Sequence, residues 1–221
     1  MTSHEVVCIG TSWGGLQAVR AILQDLPADF SMAVVLVQHR HRESGGLLTE
    51  LLQEVSLLPV CEVEDKQPIR TGHVHIAPSN YHLLVDDGYF ALSIDEPVHY
   101  SRPSIDVTFT SIADEFRMRA AGVVLTGAND DGAAGLRRIA ERGGYAIVQD
   151  PDGAESPTMP RAAIAAVPLA HLLPLDGIGP RLVSLAQAPG TAGRGRTGAL
   201  TPAAERRPAG QSEARPGGGA P

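Results

Sequence analysis

Lysine is almost missing from this chain: Lys66 is the single one among 221 residues. Basic residues total 18 against 25 acidic ones, a formal charge of −7. That balance offers no basic field to hold a nucleic-acid backbone, so nucleic acid is excluded as a partner. No apolar run approaches the ~20 residues of a membrane-spanning helix. The opening MTSHE does not read as a signal peptide. Direct membrane insertion is therefore not expected, and the expected compartment is the cytoplasm. Cysteine is equally scarce. Cys8 and Cys61 fall in apolar, strand-like segments without CxxC or zinc-type spacing, and both are expected to be buried free thiols.

What is present suits one globular core. Apolar residues make up 43% of the chain. From residue 188 onward the composition turns to Gly, Pro, Ala and Arg, with Leu200 the only sizeable aliphatic. Such a stretch buries too little to offset its ordering entropy, so residues 188–221 are expected to be a disordered tail behind a folded domain at 1–187.

Upstream of that tail, apolar runs alternate with helical patterns. Strands are expected at 6–9, 32–38, 59–63, 74–77, 121–127 and 145–150, and helices after Ser12, through Leu47–Leu52, after Ser104, across 130–144 and at 160–166. Asp87-Gly88 between two alternating runs reads as a hairpin turn. This is an α/β pattern: a three-layer αβα sandwich, mostly parallel, with one antiparallel hairpin. Sites in such sheets lie beyond the carboxyl ends of strands. Ser12, His39 and the loop 127–131 each directly follow an apolar strand.

The first of these positions lies in GTSWGG, residues 10–15. It is not a dinucleotide loop, because Ser12 stands where G-x-G-x-x-G needs a second glycine. The acidic residue expected about 20 positions on is also missing. A serine between small residues at a strand end, followed by a helix, suits a nucleophile, with the alternative that it merely caps that helix. His39 at the end of a neighbouring strand would accept its proton. Asp130 and Asp131 at a third strand end would fix the imidazole tautomer. Two H-x-H pairs, His39/His41 and His73/His75, keep a metal-dependent hydrolase open as an alternative.

The ordered set IGTSWGG, VVLVQHRH, GHVHIAPSNYHLLV, RPSIDVTFTSIA, GVVLTGANDDGAAGLRRIAERGGYAIVQD and TMPRAAI resembles the catalytic domain of chemotaxis protein-glutamate methylesterases over residues 5–175. The resemblance implies hydrolysis of glutamyl methyl esters on chemoreceptors, with release of methanol, and in some members deamidation of receptor glutamines. It assigns Ser12 as nucleophile, His39 as general base and Asp131 as triad aspartate, leaving Asp130 on a variable position. No metal or organic cofactor is implied. The expected partner is a methylated cytoplasmic segment of a chemoreceptor-like protein.

Around the triad, Trp13 and Gly14 are expected to supply an oxyanion donor and the tight turn. A second donor is expected from the loop 127–129, with Ala128, His82 and Met159 near the pocket. Trp13 replaces the family's usual small hydroxyl residue, Ala128 replaces a usual methionine, and HRHRES replaces the common H-M-P continuation. The family also usually carries an amino-terminal receiver domain. Here the catalytic part begins at once, and receiver-type phosphorylation control is not expected. Arg102 and Arg161 are candidates for attracting an acidic helix. A non-catalytic docking module of the same fold, with Trp13 filling its pocket, is the alternative from another class.

Overall fold

A computed structural model describes residues 4–40 and 46–187. The expected tail and His41 lie outside the described residues. The elements in chain order are β1 (Val6–Thr11), α1 (Gly15–Asp25), β2 (Ala33–Gln38), α2 (Leu47–Gln53), β3 (Val60–Glu62) and β4 (Val74–Ile76), then the hairpin β5 (His82–Asp86) and β6 (Tyr89–Ser93). They continue with α3 (Ile105–Phe116), β7 (Ala120–Val124), α4 (Ala133–Glu141), β8 (Tyr145–Gln149), α5 (Thr158–Ala166), β9 (His171–Leu173) and α6 (Leu175–Ala186).

Seven strands form one sheet in the order β3-β4-β2-β1-β7-β8-β9, and every pairing in it is parallel. Strand side chains alternate between two cores. Val6 and Cys8 join a cluster with Phe109 of α3, Leu136 of α4 and Met159 of α5. Val7 and Ile9 face the opposite cluster, with Ile22 of α1, Leu52 of α2 and Leu182 of α6. The three-layer sandwich read from the sequence is thus the observed architecture. The hairpin turns through Asp87 and Gly88, both at positive φ (48° and 79°), as a two-residue hairpin loop requires.

Two elements were not legible. β9 is three residues long, and α6 contains Gly177, Gly179 and Pro180, which count against a helix. Packing overrides those signals, because Ile178, Leu182 and Leu185 bury an apolar face against the sheet and α1. One cysteine expectation also changes. Cys8 is buried, and burial pushes its thiol well up. Cys61 is only half-buried, because β3 is the edge strand of the sheet.

The chain builds from β1 toward one edge of the sheet, then crosses back to add β7 on the other side of β1. The strand order therefore reverses between β1 and β7, and the crevice at that reversal is where such sheets hold their ligands.

Candidate active site

Ser12 follows β1, His39 follows β2, and the loop 127–131 follows β7. The last register pair of β1 and β2 is Thr11 with Gln38, and the His39 amide continues the ladder to the Thr11 carbonyl at 3.1 Å. Ser12 and His39 are therefore the residues that directly follow this last register pair, at the ends of two adjacent parallel strands. On the other side the Ser12 amide donates to the Thr126 carbonyl at 3.0 Å, which ties Ser12 to the end of β7.

The turn after Ser12 is held from two sides. The Thr126 hydroxyl donates to the Trp13 carbonyl at 2.9 Å and accepts from the Ser156 amide at 2.9 Å. Gly14 then adopts φ +77°, and a Cβ there would come within 2.6 Å of a Glu155 carboxylate oxygen. Gly14, not Ser12, is the N-cap of α1, and no side chain caps that helix. The reading of Ser12 as a mere cap is thereby overturned. The Ser12 side chain makes no hydrogen bond among the described residues, and the Trp13 amide likewise has no acceptor there. Trp13 itself is 66% exposed, so it is no core aromatic.

His39 presents Nε2 to Asp131 Oδ2 at 2.8 Å. The Asp131 carboxylate is fully buried and also accepts the Ser104 hydroxyl (2.9 Å) and the amides of Ile105 (2.8 Å) and Asp106 (2.9 Å). Those donors are the first turn of α3, so Asp131 closes the helix end left open by its missing backbone acceptors. Burial alone would raise its pKa. The hydrogen bond from His39 and those from the Asp106 and Ile105 amides outweigh burial and hold it below the usual carboxylate value. An ionised acceptor on Nε2–H leaves the neutral imidazole with its lone pair on Nδ1. The neighbouring Asp130 carboxylate is instead 66% exposed and pairs with His99 Nδ1 at 3.2 Å.

Three groups in this network had no local signal. Asp106 reciprocates Asp131 by accepting the Gly132 (3.0 Å) and Gly135 (2.6 Å) amides at the start of α4. Burial and the nearby Asp131 charge raise its pKa, against those two amide bonds. His99 spans Asp106 and Asp130, at 3.6 and 3.2 Å. Ser101 places its hydroxyl 3.4 Å from His39 Nδ1, whereas no hydrogen bond joins Ser12 to His39 among the described residues. Only Ser104 carried a local signal, as a serine opening a helical pattern.

Other expected site residues take different places. His82 is buried, and both ring nitrogens are engaged: Nδ1 accepts the Ser104 amide at 3.2 Å and Nε2 donates to the Glu96 carbonyl at 3.1 Å. It braces the loop 94–103 to α3 from inside and does not line the pocket. Met159 is likewise buried, packed on Gly127 so closely that a Cβ there would meet its Cε at 2.5 Å. The Gly127 amide is spent on the Ser156 carbonyl at 3.1 Å, which removes it as an oxyanion donor. Ala128 is exposed, and its amide carries no bond among the described residues. Arg102 holds the carbonyls of Ile94 and Asp95 and the Asn80 side chain, while Arg161 is exposed on α5. His75 is buried with Nδ1 3.6 Å from Cys61 Sγ and Nε2 on the Arg70 backbone, and it stacks on His73. Groups of three or more metal-ligating side chains are absent among the described residues.

Above His39 the loop 94–103 closes a cleft of about 270 Å³, bordered by His39, Arg40, Tyr100, Ser101, Arg102 and Pro103. Its tip is a tight turn in which Val98 and Ser101 exchange backbone hydrogen bonds of 3.1 and 2.8 Å, with His99 and Tyr100 at positive φ.

Residues 7–182 match the family model described as CheB methylesterase. A protein of Leptospira interrogans, named putative protein-glutamate methylesterase/protein-glutamine glutaminase, is 43% identical over 84% of this chain and 96% of its own length. A protein-glutamate methylesterase/protein-glutamine glutaminase of Symbiobacterium thermophilum is 38% identical over 79% of this chain and 49% of its own. The crystal structure of the Thermotoga maritima CheB methylesterase catalytic domain superposes with a TM-score of 0.79 at 30% identity, covering 83% of this chain and all of that one.

Proposed function

This chain belongs to the CheB methylesterase family, and we propose that it hydrolyses 5-O-methyl esters of glutamate on chemoreceptor-like proteins, releasing methanol. The observation that carries the reading is the 2.8 Å bond from His39 Nε2 to a buried, ionised Asp131, with Ser12 following the neighbouring parallel strand. In this reading Asp131 holds the tautomer that leaves Nδ1 basic. His39 Nδ1 takes the Ser12 proton as Ser12 Oγ attacks the ester carbonyl, a step that needs the two atoms about 3 Å apart. The tetrahedral oxyanion is held by the Trp13 amide, with the Ala128 amide as its second donor. Collapse breaks the C–OCH₃ bond, and the imidazolium gives its proton to the departing methoxide. Water, deprotonated by the same Nδ1, then cleaves the acyl-Ser12 ester and restores the hydroxyl.

The same steps applied to a glutamine side chain release ammonia, so deamidation is part of the proposal. The chemistry asks for no cofactor. The partner is a methylated cytoplasmic segment of a receptor or similar signalling protein. No helix among the described residues is long and apolar enough to cross a membrane.

One observation favours a second assignment of the nucleophile: Ser101, not Ser12, is the hydroxyl recorded against His39 Nδ1. Ser101 lies on the loop 94–103 between the hairpin and α3, not at the carboxyl end of a strand of the parallel sheet, so its role in our reading is to hold the resting imidazole. Labelling with a serine-directed phosphonate decides between them. The expected adduct maps to Ser12, is lost in Ser12→Ala and His39→Ala, and survives in Ser101→Ala. An adduct on Ser101 reverses the assignment, and absence of both an adduct and methanol release removes the esterase reading.

A further inference from the structure

We propose that His99 is a positioning residue of the reaction: held between Asp106 and Asp130, it keeps the Ser101 hydroxyl on His39 Nδ1, and Ser12 gains that nitrogen when the clasp opens. This rests on the esterase reading above. The loop 94–103 is fixed at both stems. Arg102 holds the carbonyls of Ile94 and Asp95 and the Asn80 side chain, and the Asn80 amide donates to the Arg102 carbonyl at 3.1 Å. His82 holds the Glu96 carbonyl. The tip is held differently. Tyr100 stands wholly in solvent, and the backbone pair of Val98 and Ser101 closes the turn only on itself. Among the described residues, the polar contacts that tie 97–101 to the rest of the chain are the two ion pairs of His99 and the Ser101 contact with His39.

Each ring nitrogen of His99 faces a different carboxylate, Nε2 toward Asp106 Oδ2 at 3.6 Å and Nδ1 toward Asp130 Oδ1 at 3.2 Å. A neutral imidazole has one N–H and the imidazolium two, so only the charged ring attracts both. Asp106 can take part because its other oxygen, Oδ1, serves the Gly132 and Gly135 amides. His99 and Tyr100 lie at φ +48° and +60°, where residues other than glycine are strained. Two such residues in succession persist because outside contacts hold them, and the clasp supplies those contacts. Its consequence falls on the reaction. With Nε2–H bound to Asp131, Nδ1 is the one basic nitrogen of His39, and the Ser101 hydroxyl lies 3.4 Å from it. A proton acceptor already taken by one hydroxyl is withheld from Ser12, so the ion pairs set the fraction of molecules ready to react.

The test reads the rate at which an uncharged serine-directed phosphonate labels Ser12, with methanol release from a methylated peptide measured beside it. His99→Asn removes the charge and suits the left-handed backbone, which asparagine tolerates. It is expected to label about three- to tenfold faster than the intact chain, the scale of two partly exposed ion pairs, with kcat/KM for methanol release rising in step. Ser101→Ala is expected to give a similar gain, and the double variant no more than either alone. Added salt should speed labelling of the intact chain toward that of His99→Asn and leave the variant flat. A loop that is merely loosened would not reproduce that non-additivity. Unchanged or slower labelling in His99→Asn, or gains that multiply in the double variant, overturns the clasp. If His99→Asn does not fold, Asp130→Asn at an exposed position decides: a gain supports the clasp and none overturns it. Equal labelling in all these proteins sinks only the clasp, whereas no Ser12 adduct and no methanol release in any of them sinks the esterase reading beneath it.

Discussion

Replacing Asp131 by asparagine changes one atom in the most heavily bonded carboxylate of the site. Oδ1 now serves the Ser104 hydroxyl and the Asp106 amide, and Oδ2 serves His39 Nε2 and the Ile105 amide. An asparagine can keep one oxygen on the first pair, but its NH₂ then faces two donors. The Ile105 amide becomes an unmatched buried donor, and the favourable charge at the α3 amino end disappears. Together these cost about 3 kcal/mol. For a domain of this size that lowers the melting temperature by roughly 6–12 °C. The catalytic effect is larger. His39 relieves the donor–donor clash by moving its proton from Nε2 to Nδ1, the atom that must accept from Ser12. A loss on the order of 10⁴ in kcat is expected, as for a triad locked in the wrong tautomer. The assay is methanol release at saturating ester, with circular dichroism melting on the same preparation. A folded Asp131→Asn enzyme within tenfold of the parent refutes the tautomer argument. A melting temperature lowered by less than about 2 °C refutes the capping argument. The pH dependence gives an independent check. Asp131 titrates below its ordinary 3.8, so its stabilisation is present above that value and lost as pH falls through the depressed one; the asparagine variant lacks that loss.

His75 is a second acid-sensitive group, and its contribution has the same sign. Burial pushes its imidazole down to about 4 from 6.5, against a hydrogen bond to the Arg70 carbonyl. The unfolded chain therefore binds a proton that the folded one refuses, and stability falls as pH drops from 6.5 toward 4. The loss between pH 7 and pH 5 is about 2 kcal/mol, read from urea midpoints, and His75→Gln should flatten it. Gly127→Ala puts a methyl group 2.5 Å from Met159 Cε, so it should cost about 1–3 kcal/mol in urea unfolding and lower kcat by shifting the loop to Asp131. Adding Met159→Ala to make room should restore part of both. Trp13→Ser removes an exposed indole and should change stability by no more than about 0.5 kcal/mol, while KM for methylated peptides shifts; an unchanged KM places the indole outside the substrate path.

Local pattern alone carried the strands other than β9, the hairpin turn and three of the strand ends that matter, because side-chain periodicity and turn chemistry are written within a few neighbouring residues. Ser12 and His39 could be placed at neighbouring strand ends in advance since consecutive strands of a parallel sheet tend to lie side by side, and β1 and β2 are indeed adjacent and parallel. Resemblance to a family, rather than pattern, preferred Asp131 over Asp130, and folding shows why the two differ: one is buried against the first turn of α3, the other stands in solvent beside His99. The remainder was settled only in three dimensions. The exchange of carboxylates between the starts of α3 and α4, the Ser101 hydroxyl over His39, His82 turned into a brace, and Arg40 reaching Glu62 all join residues 22 to 62 positions apart. No local rule reports such contacts, since their energy comes from satisfying buried polar groups, and which groups are buried together is decided by how the layers pack.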